Sequence, residues 1–299
     1  MAKLRPFGRI AFARCSSPDD PSGAPVPVSA DWRNANDRMC TLVVLHQAIP
    51  GVPLLVAANR DEFYDRRAEA PALRQTPGGV RVVAPRDARG GGTWFGLNAS
   101  GLFAAVTNVA SAAPDPSRRS RGLLVLDALE AASPAEAARR AEAIAPGTYN
   151  PFNLFVGDAR EAWAVSCAGA PRRLRLAPGA HVIGNGALDA PPSAKVERLR
   201  EHAARVARDP AAEALRGLAE LCRGHREDDP FAGACVHTER YGTRSSALVA
   251  LGDGEGRSTL CFADGAPCAN EYRAFTPLLH ELARGTRPVE GESVARMVS

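Results

Sequence analysis

The sequence has almost no lysine: Lys3 and Lys195 are the only two among 37 basic residues, and the arginines that make up the rest are scattered among 33 acidic residues, leaving a net charge of +4. Nucleic-acid binding calls for basic residues gathered on one face with aromatics to stack bases, and here aromatics are only 6% of the chain, so that class is excluded. No apolar run approaches the length of a bilayer span, so no transmembrane segment is expected. There is no C-x-x-C pair, and the seven cysteines at 15, 40, 167, 222, 235, 261 and 268 are odd in number. Neither a disulfide framework nor a zinc site has its spacing, and no metal is expected. A reducing, cytoplasmic setting fits that usage, with Cys167, Cys222, Cys235, Cys261 and Cys268 read as small buried hydrophobes. Internal repeats are also lacking. The glycine triplet Gly90-Gly91-Gly92 is not followed by Gly-Lys-Ser/Thr, so it reads as close backbone approach or a bulge and not as a phosphate loop.

Residues 1 to 38 lack hydrophobic periodicity and hold five prolines among Ser, Asp and Arg, the composition of a disordered extension. A targeting peptide, a pro-segment removed ahead of Cys40, and a start codon placed too early (with translation beginning at Met39) compete to explain it. The last is favoured, because a methionine before a small residue is readily removed, and Cys40 then becomes residue one. Residues 286 to 299 read as a frayed tail. Between them, 39 to 285 reads as one domain.

What is present begins with Leu42-Val43-Val44-Leu45 and Leu54 to Ala58, two apolar runs of strand length either side of Pro50-Gly51-Val52-Pro53, a hairpin. The second run ends in Asn59-Arg60-Asp61-Glu62, which alone reads as a solvated loop, yet an antiparallel return brings Arg60 or Asp61 within reach of Cys40. Residues 63 to 89 read as a polar loop region with a short strand at 80 to 83. Further strands are expected at 102 to 108, 152 to 158, 162 to 165, 173 to 176, 181 to 184, 247 to 251 and 259 to 263. Helices are expected near 123 to 129, from Ser133, over 193 to 206 and over 210 to 222. Asn108 and Asn185 each close a buried strand, where a side-chain amide can face an oxyanion. At Asn185-Gly186 an ordinary turn is an equal alternative. Blocks of strands alternating with blocks of helices indicate an α+β domain with two sheet layers and flanking helices.

Met39-Cys40, Asn59-Arg60-Asp61-Glu62, Gly91 to Gly96, Phe152-Asn153-Leu154 and Tyr241-Gly242-Thr243-Arg244 together resemble the NRDE family, also called the Transport and Golgi organisation protein two family, from residue 39 to about 277. The resemblance implies a four-layer αββα sandwich of two antiparallel sheets, of the N-terminal-nucleophile hydrolase type. It also implies a link to haem mobilisation and to acyl-CoA or lipid homeostasis. More distantly, the chain is similar to bile salt hydrolases and penicillin V acylases. These also begin with Met-Cys and carry an aspartate after the second strand, a Gly-Leu-Asn-x-x-Gly-Leu turn followed by an asparagine, a second asparagine and a late arginine. The matching positions are Cys40, Asp61, Gly96 to Leu102 with Asn108, Asn185 and Arg244. The acylases carry an arginine where this chain has Ala58, and Arg60 lies inside the motif instead.

A cysteine at the N-terminus needs no separate histidine, because its α-amine, with a free pKa of roughly 7.7 to 8.0, can take the proton of a thiol near roughly 8.5. On the acylase template, Asp61 orients that amine, Arg60 or Arg244 holds the aspartate or lowers the thiol, and Asn108 and Asn185 face the oxyanion. Two functions are therefore expected. The leading one is handling of a small hydrophobic ligand, haem or an acyl-CoA, with no cofactor required and haem only as cargo. Its rival is a cysteine amidohydrolase cutting an amide or thioester. As axial haem ligands, Cys40, His46, His181, His225 and His237 are the candidates, and no C-x-x-C-H offers covalent attachment.

Overall fold

The computed structural model describes residues 40–110, 114–254 and 257–284. The expected extension 1 to 38 and the expected tail 286 to 299 lie outside the described residues, as does Met39.

The first hairpin sets the frame. Strands β1 (Thr41–Ile49) and β2 (Val52–Phe63) turn at Pro50-Gly51, where Gly51 takes a φ of +76° that a side chain would resist. Their side chains alternate: Leu42, Val44, Leu54 and Val56 enter one core, and Val43, Leu45, Leu55 and Ala57 another. A strand buried on both faces reads as a continuous apolar run, which is why both runs were visible in sequence.

The chain continues through β3 (Ala68–Gln75), β4 (Arg81–Asp87), β5 (Phe95–Asn98), β6 (Phe103–Asn108), α1 (Arg121–Leu129), α2 (Pro134–Glu142), β7 (Phe152–Gly157), β8 (Ala162–Cys167), β9 (Arg172–Leu176) and β10 (Gly179–Ile183). Helices α3 (Ala194–Val206) and α4 (Ala211–Arg223) follow, then β11 (Tyr241–Leu251), β12 (Thr259–Ala263), β13 (Arg273–Ala274) and α5 (Thr276–Arg284). Serine caps start three helices. The Ser120, Ser133 and Ser193 hydroxyls accept from the amides of Gly122, Glu136 and Val196, and Glu136 reciprocates at the Ala132 amide.

One sheet runs β10-β1-β2-β11-β12-β13 and the other β3-β4-β5-β6-β7-β8-β9, antiparallel throughout. Leu42, Val44, Val56, Phe95, Phe103, Phe155 and Val249 fill the core between the sheets. Val43, Leu45 and Ala57 pack on α3 and α4 through Val206, Leu215 and Leu218. Ala104, Leu154 and Val156 pack on α1 and α2 through Val125, Leu129 and Ala138. The order is helices, sheet, sheet, helices: the expected αββα sandwich.

Three expectations need correction. The polar run Asn59 to Glu62 is not a loop: β2 carries it through to Phe63, with Asn59, Arg60 and Asp61 all buried. Pairing with β11, from Tyr241–Phe63 to Leu251–Leu54, satisfies its backbone. The stretch read as a loop at 63 to 89 holds two paired strands, β3 and β4, the first hidden because AEAPALRQ is half-buried and lacks β-branched residues. Finally, β11 begins at Tyr241, six residues before the apolar run that signals it.

Candidate active site

All five motifs meet where β1 begins and β2 ends. Thr41 pairs with Asn59, and Leu42 with Ile183, so Cys40 stands one register step from Arg60 and Asn185 two residues beyond the β1–β10 ladder, at the same end. The Cys40 thiol donates to the backbone carbonyl of Asp61 at 3.6 Å.

Alternation divides the polar end of β2 between two faces. Asn59 and Asp61 continue the helix-facing side. The Asn59 amide donates to the carbonyls of Cys222 and Ala234, both at 2.9 Å, which ties the strand to the end of α4. Asp61 Oδ1 accepts from the Thr243 hydroxyl at 2.6 Å, and its backbone carbonyl accepts from the Tyr241 hydroxyl at 3.0 Å. Asp61 Oδ2 is buried with no hydrogen-bond partner. Burial raises this carboxyl to about 6, against the charge of Lys195 and the Thr243 bond, which pull it down.

Arg60 faces the space between the sheets. Its guanidinium lies 4.7 Å from the Trp94 ring centroid, and both terminal nitrogens are buried without a hydrogen bond. Carboxylates of Asp87 and Glu62 stand 3.7 and 3.9 Å away, too far to bond directly, because Arg66 takes them at 2.6 and 3.0 Å. The Cys40 thiol is pushed up to about 12, by burial first and then by the Asp61 carboxylate, with the backbone bond to Asp61 and the Arg60 charge opposing.

The other motifs act as supports. Gly92 packs so close to α1 that an added Cβ would stand 2.2 Å from the Gly122 carbonyl carbon, so close approach is its reason, and Trp94 follows it into place under Arg60. Gly242 is similarly pinned between Val236 and Tyr64. The Asn153 amide donates to the carbonyls of Gly184 and Gly186 at 3.2 and 2.8 Å, while the Thr107 hydroxyl donates to Gly184 at 2.7 Å. These bonds clamp the Asn185 turn, and Ala110 N donates to the Asn185 carbonyl at 2.9 Å. Asn108, two residues before Ala110, closes β6 beside it. The structure thus brings Cys40, Arg60, Asp61, Asn108 and Asn185 to one end of the sandwich. Arg244 occupies the bulge of β11 between the Thr243–Asp61 and Ser245–Arg60 pairs, its Nε buried without a partner.

Lys195, Arg66 and Arg121 went unrecognised from sequence as parts of this region, and Asn153 entered only within a family motif, without a role. Lys195 opens α3 almost fully buried, its amine without a hydrogen bond and pulled below the usual lysine range by burial, with Asp61 and Cys40 opposing. Its signal was present, as the one lysine after residue 3. Arg121, the first residue of α1, donates to the Pro151 carbonyl at 2.9 Å, and burial lowers its guanidinium while the charge of Cys40 opposes. A cavity of about 370 Å³ elsewhere is bordered by Leu97, Leu251, Leu279 and Leu282, at the far end of β11, and touches none of these residues.

The haem-ligand candidates fall in three places. His46 is buried in β1, six residues from Cys40. His181 bonds at the Ala177 carbonyl. His225 and His237 contact each other edge to face at 5.5 Å, leaving no gap for a porphyrin between them.

Two antiparallel sheets packed face to face with helices on both outer sides are the fold of the N-terminal-nucleophile hydrolase type. The Caenorhabditis elegans ortholog of N-acylethanolamine-hydrolyzing acid amidase superposes with a TM-score of 0.51 over 78% of this chain and all of its own, at 13% identity, a likeness of fold alone. A family model, Transport and Golgi organisation 2, matches residues 39–261. The Bos taurus Transport and Golgi organization protein 2 homolog is 31% identical over 263 residues, 76% of this chain and 91% of its own. The chain belongs to the Transport and Golgi organisation 2 family. No described helix is long and apolar enough to cross a membrane.

Proposed function

We propose that the Cys40 end of the sandwich is an acyl-transfer site, in which a Cys40 freed of the residues before it hydrolyses an amide or thioester. The observation that carries this is Asp61 Oδ2, a buried acceptor without a donor beside the residue whose α-amine the chemistry requires. Leaving such an oxygen unpaired costs about 1 to 3 kcal/mol, and an amine on Cys40 is a donor the chain itself supplies. With residues ahead of it, a thiol near 12 is protonated and idle.

Once free, the α-amine takes the thiol proton and the thiolate attacks the acyl carbon. The oxyanion is met by Asn108 and Asn185, at about 3 to 4 kcal/mol per donor. The carbon–nitrogen or carbon–sulfur bond breaks and the leaving group takes the proton from the ammonium. Water, deprotonated by the same amine, then attacks the thioester, releasing the acid and restoring the thiol. Lys195 adds a positive charge that favours the neutral, basic form of the amine.

A second reading has its own support. The Arg60 guanidinium, buried, stacked on Trp94 and without hydrogen bonds, suits the phosphates of an acyl-CoA or the propionates of haem. On that reading the cleft carries an anionic amphipath without turning it over.

One experiment separates the two. Chains beginning at Met1 and at Cys40, their N-termini read by intact mass, are incubated with an electrophilic acyl probe and titrated with haem and with an acyl-CoA. Labelling of the Cys40-first form, absent in Cys40→Ala, supports hydrolysis. An unlabelled, free-amino Cys40 in a protein that binds either ligand stoichiometrically sinks it in favour of carriage.

A further inference from the structure

A second cluster of nucleophilic side chains lies outside the Cys40 cleft. Cys235 and His237 come from the loop before β11, Cys268 from the turn between β12 and β13, and His225 from the exit of α4. The Cys235 and Cys268 sulfurs are 3.7 Å apart, and His237 Nε2 is 3.4 Å from the first and 3.1 Å from the second. His225 stands beside them, its ring edge to face with His237; one ligand atom each from His225, His237 and Cys268 lie within 4.8 Å of one another, a set that does not include the Cys235 sulfur.

Those separations have a simple meaning. Around a tetrahedral zinc ion, with metal–sulfur distances of about 2.3 Å and metal–nitrogen distances of about 2.05 Å, two sulfurs stand about 3.8 Å apart and a sulfur and a nitrogen about 3.5 Å apart. The three edges of the Cys235, His237, Cys268 triangle are within a few tenths of an ångström of these values. We propose that Cys235, His237 and Cys268, with the neighbouring His225 drawn in as the fourth ligand on binding, form a tetrahedral site for a single thiophilic divalent cation, zinc being the best match to two thiolates and two imidazoles.

The surroundings are built for it. Gly233 has no side chain where a Cβ would stand 2.7 Å from the His225 Cα, so the two ligand-bearing segments can lie against each other, joined by the bond from Cys235 N to the Gly224 carbonyl at 2.9 Å. His225 Nδ1 stands 3.4 Å from the Arg223 carbonyl, leaving Nε2 for the ion, the usual arrangement of a metal-bound histidine.

With His225 drawn in, four protein ligands leave no open position, so the ion is structural. It clasps three segments distant in sequence and sits behind the candidate active site. Val236 N, between two of the ligands, donates to the Thr243 hydroxyl at 2.9 Å, and that hydroxyl donates to Asp61.

The test uses the full chain, produced in zinc-supplemented medium, purified in reductant and freed of any tag. Elemental analysis is expected to find a single zinc per chain, and exchange into cobalt(II) to give thiolate charge-transfer bands with the strong visible bands of tetrahedral cobalt. Cys268→Ser and His237→Gln each lose the bound metal, and chelation lowers the melting temperature of the unmodified protein. The cobalt spectrum needs no variant, so a variant that fails to fold leaves the test intact. Metal well below stoichiometry under zinc supplementation with no tetrahedral cobalt bands overturns the proposal, as does a Cys235–Cys268 disulfide in protein that binds no metal.

Discussion

Cys40 and Cys268 take the same thiol in opposite directions. Around Cys40, burial and the Asp61 carboxylate push the thiol to about 12, and Arg60 only partly offsets them. Around Cys268, the Cys235 thiol donates a hydrogen bond and His237 adds charge, which together outweigh burial and draw the thiol to about 4. The first thiol is held protonated; the second is drawn toward its thiolate. The difference lies in what each sulfur faces: Cys40 meets a backbone carbonyl and an anion, whereas Cys268 meets a donor and an imidazole.

The largest effect on the Cys40 side of this comparison is a pH dependence. Because the folded protein holds Asp61 near 6 against an ordinary value of 3.8, the native state keeps this proton longer than the unfolded chain does. Stability therefore falls as pH rises from about 4 to about 6 and stays lowered above that, by about 3 kcal/mol for a shift of this size. Asp61→Asn should flatten that window and raise stability at neutral pH.

The next way to break that side is to remove its buried cation. Lys195→Met leaves the Asp61 carboxylate without the charge that most opposes its burial, and is expected to cost about 1 to 1.5 kcal/mol in urea unfolding at pH 7, where protonation of the carboxyl caps the loss. Adding Asp61→Asn should return most of that loss, and a double-mutant cycle measures the coupling. If the double variant is no more stable than Lys195→Met alone, the pairing is wrong.

Alkylation compares the two thiols directly. At pH 7 burial keeps Cys40 protonated while Cys235 and His237 draw Cys268 toward its thiolate, so Cys268 is expected to alkylate faster. In reduced, chelator-treated full-length protein, peptide mapping with iodoacetamide should find the Cys40 rate rising tenfold per pH unit between 6 and 9 while the Cys268 rate stays flat. A flat Cys40 profile would show a base beside it. Smallest is Arg60→Met, expected to cost about 1 kcal/mol of stability through the lost Trp94 contact. It should also move the Cys40 profile to higher pH.

The β-strands that are buried on both faces were legible because their continuous apolar runs are of strand length and bounded by turn residues, which favours a buried strand over a buried helix segment. For the same reason the polar end of β2 was not: Asn59, Arg60 and Asp61 are buried much as Leu42 is, and only partners more than 30 residues away make that tolerable, among them Trp94, Cys222, Ala234 and Thr243. β3 was missed because half-burial leaves no clean alternation. Lys195 was visible as an anomaly of composition, but its meaning depends on α3 docking beside β2.

The sequence by itself determined the hairpin that follows Cys40 and an α+β domain of two sheet layers with flanking helices, because each rests on residues close in the chain or on the period of burial; the ordered motifs marked the family, and the αββα order came with that resemblance. Tertiary structure alone decided which charges Cys40 feels and that Cys235, His237, Cys268 and His225 meet. No local spacing encodes those meetings. They arise when β11 pairs with β2 and the segments that flank α4, β11 and β12 close over the same edge.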